Sequence, residues 1–251
     1  MVKLIILGSA NAIPALNREN THMALVCEKR LILVDCGNNP IVHLQQAGID
    51  ILAVTDLILT HFHPDHVSGV PSFLMNSWLM GRKTSLKVYG LAYTLDRLEN
   101  LMIAYNWESW PNFFPVEFVR LAADEYTQVL EDEEIKILSS EVCHMIPTIG
   151  FRAEFKVTGK VLAYSCDTEP CPEVERLSQG ANLLIHEASG KGIGHSSAAQ
   201  AGEIAARAGS QELMLIHFNA DGEALNAMMA EAQQQFTGKV IAAQDFQEIE
   251  F

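Results

Sequence analysis

The stretch that decides the fold is His61-Phe62-His63-Pro64-Asp65-His66. The run just before it, Leu57 to Thr60, is short, apolar and β-competent, so it predicts a buried strand that ends where the stretch begins. In an extended strand end, residues i and i+2 point the same way. We therefore expect His61 and His63 to face one cation.

Pro64 bends the path of the chain, so Asp65 and His66 can face a second cation beside the first. A histidine-rich surface loop is the alternative interpretation, but a solvated loop has no reason to carry an aspartate at that offset directly after an apolar strand. A site for two metal ions needs about seven or eight ligands, so these four side chains supply only half of it.

Three later segments show the same pattern, an apolar run followed by a residue able to bind a metal. They are Ile135 to Val142 followed by His144, Val161 to Cys166 followed by Asp167, and Leu213 to Ile216 followed by His217. Side chains at strand ends are held by a rigid sheet yet stand at its open rim, where a substrate can reach a metal. We predict that His144, Asp167 and His217 complete the site.

The composition is that of one globular domain with an acidic surface. The chain has 251 residues with 49% hydrophobic content, enough for one large core, and no composition shift divides it, so we predict a single domain over residues 1–251. Seventeen basic and thirty-one acidic residues give 17 − 31 = −14. That charge disfavours broad, sequence-blind nucleic-acid binding but does not exclude a local basic groove.

The cysteines and the lack of a long apolar run predict the cellular setting. The five cysteines, at positions 27, 36, 143, 166 and 171, form no CxxC pair and are odd in number, which favours a reducing compartment. Cys143 and Cys166 each precede a proposed ligand; we interpret them as small buried hydrophobes rather than as thiols supporting the ligands. No apolar stretch approaches the roughly 18 residues of a membrane span, so we predict a cytoplasmic protein without membrane contact.

Strands and helices alternate in both halves of the chain, and this pattern predicts an α/β fold of two sheets face to face with helices outside. Predicted strands are Lys3 to Leu7, Met23 to Glu28, Leu31 to Asp35, Glu154 to Val157, Val161 to Ser165, Leu183 to Ile185 and Val240 to Ala243, besides those before the ligands. Predicted helices are Ser68 to Met80, Leu91 to Tyr105, Ser197 to Ala208 and Gly222 to Phe236. Ser197 and Gln200 predict a capping box, and Gly209 predicts the helix end.

Two segments fit no regular pattern. Tyr105 to Phe118 contains two tryptophans, three further phenylalanines and two prolines, which predicts a packed loop or lid. Its aromatic side chains could line a substrate pocket or be buried against the core or a partner subunit. Glu131 to Glu134 is an acidic run at a predicted turn, and we interpret it as a solvated face.

These residues resemble the metallo-β-lactamase superfamily, and within it the ribonuclease Z branch of tRNA 3′-processing endonucleases and their phosphodiesterase relatives. The motifs that carry the resemblance are Leu33 to Gly37, His61 to His66, Thr148 to Phe151 after His144, Tyr164 to Thr168, Ile185 to Ser189, Gly194 to Ser197 and Leu215 to Phe218. The segments His186 to Ser189 (HEAS) and His195 to Ser197 (HSS) resemble the HEAT and HST motifs of that branch. The resemblance implies a four-layer αββα sandwich and a homodimer.

The resemblance also implies roles for the residues. His61, His63 and His144 would hold the first zinc ion, and Asp65, His66 and His217 the second, with Asp167 bridging the two. Manganese or iron fit the same ligand types. A hydroxide between the metals would attack phosphorus. Asp65 would accept a proton, His195 with Glu187 behind it would donate one to the leaving oxygen, and Asp35 and His186 would orient ligands or strand ends.

Three departures from the branch bear on the substrate. The chain has no Gly-Pro pair, and the interval from Leu86 to Arg120 is too short for the long flexible arm with which the branch clamps tRNA. The N-terminal loop, Pro14 to Asn20, lacks the lysine of the P-x-K-x-R-N pattern and is interrupted by Glu19. Cys166 stands where glycine usually precedes the bridging aspartate.

We therefore predict an enzyme, a dinuclear zinc phosphodiesterase acting on a small or exposed phosphodiester, with an RNA 3′ end as a possible partner. The alternatives are a tRNA 3′-trailer endonuclease and another metal-dependent ester hydrolase, such as a sulfatase or lactonase. A glyoxalase-type activity is disfavoured because no additional helical substrate domain follows. A non-catalytic scaffold is the last alternative, and the full ligand set argues against it.

Overall fold

The computed structural model describes residues 2–219 and 224–251, and its strands form two seven-stranded sheets. The first sheet has the order β14-β1-β2-β3-β4-β5-β6 and the second β13-β12-β11-β10-β9-β8-β7. The strands are β1 Lys3–Gly8, β2 His22–Val26, β3 Leu31–Val34, β4 Asp56–Ile58, β5 Leu86–Leu91, β6 Val116–Leu121, β7 Thr127–Glu131, β8 Ile135–Val142, β9 Thr148–Phe155, β10 Val161–Tyr164, β11 Leu183–Glu187, β12 Glu212–Ile216, β13 Lys239–Ala242 and β14 Glu248–Glu250. The predicted α/β class with two mixed sheets is confirmed.

Each sheet is half antiparallel and half parallel, and this arrangement determines where side chains can converge. Strands β3 to β6 run parallel in the first sheet, and strands β10 to β13 run parallel in the second. Because the carboxyl ends of parallel strands meet at one edge, residues that follow β3 and β4 come together, and so do those that follow β10, β11 and β12.

Seven helices are described, and each covers one outer face of a sheet or leads into the site. They are α1 Pro40–Gln46, α2 Pro64–Val67, α3 Val70–Leu79, α4 Ala92–Ala104, α5 Pro172–Leu177, α6 Ala198–Ala208 and α7 Ala224–Gln235. Proline occupies the first or second position of α1, α2, α3 and α5, where its missing N–H has no intrahelical partner to lose. None of these helices is long and apolar enough to cross a membrane.

The capping signals for α6 are confirmed. Ser197 and Gln200 form both hydrogen bonds of a capping box, and Gly209 ends the helix at φ 64°. The predicted start of the last helix, Gly222, lies outside the described residues, and within them the helix begins at Ala224.

Three apolar layers hold the four structural layers together. In β1, Leu4 and Ile6 face the layer between the sheets, whereas Ile5 and Leu7 face the outer layer under α1, α3 and α4. In β12 the alternation recurs: Met214 enters the layer between the sheets, and its neighbours enter the outer layer under α5 to α7. Strands buried on both faces read as continuous apolar runs, which is why they were predictable.

Several elements escaped prediction, namely α1, α2, α5, β5, β6, β7 and β14. Strands β6, β7 and β14 stand at the edges of their sheets and carry polar residues, so their apolar pattern is weak. The prediction that Tyr105 to Phe118 is all irregular was wrong at its end, since β6 begins at Val116. The predicted strand Glu154 to Val157 was misplaced: β9 runs from Thr148 to Phe155.

The acidic run is not a solvated face, and that interpretation was wrong for two of its residues. Glu134 is buried, and its carboxylate accepts hydrogen bonds from the backbone N–H groups of Glu28 and Lys29, at 2.9 and 3.0 Å. Asp132 accepts a 2.5 Å hydrogen bond from Arg30 Nε. The run therefore fastens the β7–β8 turn of the second sheet to the β2–β3 turn of the first.

Arg30 also forms an ion pair with the buried carboxylate of Asp56. Its Nη1 lies 2.9 Å from Asp56 Oδ2, and Asp56 is only 1% exposed. The hydroxyl of Tyr89 donates to the other oxygen at 3.1 Å. Without the guanidinium, Asp56 would be a buried charge lacking a cationic partner.

We expect Arg30→Ala to lower the free energy of unfolding by about 2–3 kcal/mol, because it removes charge-assisted hydrogen bonds to Asp56 and Asp132. The matched control is Lys29→Ala in the same turn. Lys29 pairs with Glu133, but both side chains are more than 60% exposed, so the loss of stability should be much smaller than that of Arg30→Ala. Urea unfolding of both variants tests this, and equal losses would contradict it.

Candidate metal centre

The sequence-predicted ligands come together where strands of both sheets end, at one edge of each sheet. Strand β4 ends at Ile58, two residues earlier than predicted, and the chain continues extended to His63. Pro64 then opens the one-turn helix α2, which carries Asp65 and His66. His144, Asp167 and His217 follow β8, β10 and β12 from the second sheet. The site is thus built where the two sheets face each other.

Three histidines form the first group. His63 Nδ1 lies 3.0 Å from His61 Nε2 and 3.1 Å from His144 Nε2. These ring nitrogens are close enough to ligate one metal ion. Burial lowers the pKa of all three imidazoles, so each presents a neutral ring with a lone pair, the form that binds a metal.

A carboxylate and two histidines form the second group. Asp65 Oδ2 lies 3.3 Å from His217 Nε2 and 3.4 Å from His66 Nε2. This group also satisfies the spacing for a metal ion. Although burial opposes it, the neighbouring imidazoles of His217 and His66 hold the pKa of Asp65 well below its usual range.

Asp167 lies between the two groups and reaches both. Its Oδ2 is 3.9 Å from His61 Nε2, 3.6 Å from His66 Nε2 and 3.4 Å from His217 Nε2. The residue is 2% exposed, and its other oxygen, Oδ1, has no hydrogen-bond partner. A buried carboxylate oxygen without a donor is costly, and a cation would satisfy it.

His66 gives a second sign that the site fits a cation. Burial works against its charge, yet the carboxylates of Asp167 and Asp35 raise the pKa of His66 well above its usual value. Its Nε2 nonetheless has no hydrogen-bond partner. The raised pKa means that His66 tends to hold a second proton, on Nε2. A divalent ion would replace that proton as the positive charge among the carboxylates. The donor set of imidazole and carboxylate groups suits zinc, manganese or iron.

Partners outside the two groups decide which ring nitrogen faces the site. His66 Nδ1 lies 2.8 Å from Asp35 Oδ2, and His144 Nδ1 lies 2.7 Å from the carbonyl oxygen of Gly194. Since carboxylate and carbonyl oxygens only accept, both Nδ1 atoms carry a proton and both Nε2 atoms are free for a metal. Gly194 is close: a Cβ there would lie 2.7 Å from His144 Nδ1.

Two hydroxyls that sequence reasoning missed act in the same way. Thr60 Oγ1 donates to Asp35 Oδ2 at 2.8 Å and accepts from His61 Nδ1 at 3.1 Å. Ser189 Oγ donates to the carbonyl oxygen of His217 at 2.6 Å and accepts from Nδ1 of the same residue at 2.8 Å. Ser189 belongs to one of the sequence motifs, but no local sequence pattern indicates that its hydroxyl reaches His217, which is 28 positions away.

His195 and Glu187 form a pair at the edge of the site. His195 Nδ1 lies 3.0 Å from Glu187 Oε1. Glu187 is fully buried and also accepts from the backbone N–H groups of Thr168, Ser189 and Ser196. The hydrogen bond to Glu187 raises the pKa of His195. The imidazole ring lies 5.1 Å from that of His144 and is 24% exposed, so it can reach a substrate held by the centre.

The remaining predicted residues lie in different surroundings. His186 is buried, and its Nδ1 donates to the carbonyl oxygen of Glu187 at 2.9 Å. Cys166 is buried as predicted, with Sγ 3.6 Å from His61 Nδ1. Cys143 is exposed, so its interpretation as a buried hydrophobe was wrong.

The aromatic segment lies apart from the proposed ligands. Phe114 is buried, and Trp107, Trp110 and Phe113 pack against the outer layer of the first sheet. Trp110 also stacks on Trp78 of α3 at 5.1 Å. Of the roles left open for this segment, the contacts support burial against the core.

Comparison with known proteins agrees with this geometry. Residues 30–218 match the family described as a beta-lactamase superfamily domain. Ribonuclease Z of Methanothermobacter thermautotrophicus is 25% identical over 291 aligned positions, covering 94% of this chain and 92% of that protein. That alignment exceeds the 251 residues of the chain by 40 positions, so at least that many positions of the relative have no counterpart here.

Two solved structures share the fold over nearly their whole length. The metallo-β-lactamase fold protein YhfI from Bacillus subtilis superposes with a TM-score of 0.85 at 21% identity, covering 100% of this chain and 99% of that one. The short form of human tRNase Z superposes with a TM-score of 0.79 at 23% identity, covering 99% and 98%. From the family match, the shared fold and the converging histidines and aspartates, the chain belongs to the metallo-β-lactamase superfamily, with relatives in its ribonuclease Z branch.

Proposed function

We propose that the protein is a dinuclear zinc phosphodiesterase of the ribonuclease Z-like type that acts on a small or exposed phosphodiester. Its membership of the superfamily makes it a metal-dependent hydrolase. The observation that carries the finer proposal is the position of Asp167, whose Oδ2 lies within 3.9 Å of histidines from both ligand groups.

Seven residues would hold the two ions, and two more would act on protons. The ligands are His61, His63 and His144 for one ion, Asp65, His66 and His217 for the other, and Asp167 between them. When bound, divalent cations supply Lewis acidity toward the phosphoryl group and lower the pKa of the attacking water to about 7. Imidazole and carboxylate ligands in this number favour zinc, and manganese or iron remain compatible.

Asp65 is the proposed proton acceptor. Its carboxylate is ionised, since its pKa lies well below the usual range, and its side chain is 11% exposed, compared with 3% for Asp167. A carboxylate that is charged and partly open to the cleft can accept a proton from water.

His195 is the proposed proton donor, and Glu187 positions it. Glu187 accepts a hydrogen bond from the Nδ1–H, which leaves Nε2 as the nitrogen that can face a leaving oxygen. The raised pKa keeps the ring protonated closer to neutral pH. Because backbone N–H groups hold Glu187 in place, the imidazole needs little rearrangement to act.

Charge and size support a small substrate. The chain carries a formal charge of −14, and phosphate contacts along an RNA require lysine and arginine. The connection from β5 to β6, where the arm was sought, consists of α4 and the aromatic segment packed on the first sheet. At least 40 positions of the Methanothermobacter protein have no counterpart in this chain, which agrees with a missing arm.

Authentic tRNA 3′-trailer cleavage is the second candidate, favoured by alignment with proteins named ribonuclease Z over most of the chain. Sulfatase or lactonase chemistry could use the same ligands. A scaffold without catalysis has no need for seven converging ligands and the His195–Glu187 pair. The homodimer and the cytoplasmic location stay predictions.

The purified protein should carry about two transition-metal ions per chain. His63→Ala should reduce this to about one, and Asp167→Ala should weaken both sites because its carboxylate reaches both groups. Elemental analysis measures the content. The control is His43→Gln, which changes a buried histidine whose ring neighbours are His22 and Phe246; it should keep both ions. One ion or fewer in the fully loaded wild type would contradict the dinuclear centre.

His195→Ala should leave the metal content unchanged and lower kcat by about 10²–10⁴. The loss should be greatest for poor alkoxide leaving groups, since p-nitrophenolate departs with little help from an acid. Glu187→Gln should cause a smaller loss, and the double variant should be little worse than His195→Ala, since the two act as a unit. Equal losses on good and poor leaving groups would remove the proton-donor role, and loss of metal would make His195 a ligand.

Turnover of bis(p-nitrophenyl) phosphate and of a pre-tRNA with a 3′ trailer should separate the two candidate functions. We expect only a modest preference for pre-tRNA, and RNA binding that weakens steeply between about 50 and 200 mM salt. Tight pre-tRNA binding that resists salt would make tRNA processing the leading function.

A further inference from the structure

Two cysteines and a glutamate converge outside the catalytic cluster. The Sγ atoms of Cys143 and Cys171 and a carboxylate oxygen of Glu173 all lie within 4.8 Å of one another. In the sequence, Cys143 and Cys171 are 28 positions apart, and no motif connects them.

The cluster is distinct from the catalytic centre although the chain passes from one to the other. His144 Nε2 points to His63, whereas the side chain of the preceding residue, Cys143, is exposed and faces Cys171. None of the three residues belongs to the ligand set of the proposed dinuclear site.

The backbone around the cluster is held by hydrogen bonds between two loops. The N–H of Cys143 donates to Thr168 Oγ1 at 3.2 Å, and the N–H of Glu169 donates to the carbonyl oxygen of Cys143 at 2.8 Å. Cys171 is 5% exposed, with its Sγ 3.7 Å from Thr168 Oγ1. One thiol is therefore fixed inside, the other is open to solvent, and the two need little rearrangement to meet.

The surroundings are acidic. A cavity of about 490 Å³ at this place is lined by Asp124, Glu125, Glu141, Cys143 and Glu173 together with two apolar residues. Its lining includes no lysine or arginine. Arg176 approaches from α5 and donates to Glu125 and to one oxygen of Glu173. The local field therefore attracts cations.

We propose that Cys143, Cys171 and Glu173 bind a thiophilic divalent cation, Zn²⁺ or Cd²⁺ in class, at a site separate from the catalytic centre. Thiolate ligands select such ions over Mg²⁺ or Ca²⁺. Binding forms two metal–sulfur bonds and releases the two thiol protons to solvent. The two thiolates and the carboxylate carry three negative charges, which the cation partly neutralises, and solvent completes the coordination because Cys143 is open.

A disulfide is the competing use of the same two cysteines, but the acidic surroundings favour a cation. Oxidation by a disulfide or peroxide proceeds through a thiolate, and neighbouring carboxylates destabilise a thiolate that has no cation beside it. A bound divalent ion removes this penalty because it brings the positive charge with it.

The test is titration of the reduced protein, carrying only the two zinc equivalents of the proposed dinuclear centre, with Cd²⁺, followed by the ultraviolet charge-transfer absorption of cadmium thiolate bonds. The proposed catalytic ligands are imidazoles and carboxylates, so this absorption reports thiolate binding alone. The wild type should develop the band with one equivalent of Cd²⁺. Cys143→Ser and Cys171→Ser should each lose the two-thiolate band, and Glu173→Gln should weaken the apparent affinity by about tenfold.

Controls separate this site from folding and from other thiols. Cys27→Ala, at a buried cysteine in the layer between the sheets, should keep the band. The circular-dichroism spectrum and the thermal unfolding midpoint without added metal should be the same in Glu173→Gln as in the wild type, which shows that the variant is folded. No band in the reduced wild type would overturn the proposal. So would a full band in both serine variants, because the thiolate would then be Cys166 beside His61. The result does not depend on the proposed phosphodiesterase function.

Discussion

The structure depends on a buried negative charge, the carboxylate of Asp167, surrounded by imidazoles from separate strands. Burying a carboxylate costs several kcal/mol unless positive charge or hydrogen bonds compensate. Here one oxygen lies within 3.9 Å of three histidines, and the other has no partner. Those histidines are supplied by both sheets, so the site exists only when the two sheets face each other correctly. The same charge that is costly in the folded chain is what a divalent cation would stabilise.

Rigid strand ends make this arrangement possible, and the backbone at the site is strained to achieve it. Asp35, Cys166 and His217 all adopt a left-handed conformation, with φ of 59°, 54° and 53°, although none is glycine. Each costs about 1 kcal/mol or more, and such strain persists only where the surroundings impose it. All three follow a parallel strand directly or within two residues. At each of these positions the left-handed residue turns the chain out of the strand direction. Its own side chain, or that of a neighbour, then lies at the edge of the cleft.

A network of partners outside the ligand groups gives the histidines their direction. Asp35 holds His66 and, through Thr60, also His61. Ser189 and the carbonyl of Gly194 hold His217 and His144. Since each of these partners accepts a hydrogen bond from an Nδ1–H, four imidazoles present Nε2 to the site. His63, which approaches from the extended segment before Pro64, presents Nδ1 instead. The centre is therefore organised by hydrogen bonds before any ion enters.

The sequence by itself determined the features that local patterns encode. An apolar run that ends at a histidine or an aspartate predicts a buried strand with a side chain at its rim, whatever the rest of the chain does. The capping box at Ser197 and the C-terminal Gly209 of α6 are equally local. Only the tertiary structure decided which distant groups meet. Glu134 is buried because the turn at Lys29 covers it, and edge strand β6 is held by β5 rather than by an apolar pattern of its own. Ser189 reaches His217 because the parallel strands β11 and β12 end at one edge. Cys143 reaches Cys171 because β8 and β10, which both pair with β9, end at that same edge. The periodicity of apolar residues predicts whether a given side chain is buried. Contacts between loops depend on the order of the strands in each sheet, and periodicity does not predict that order.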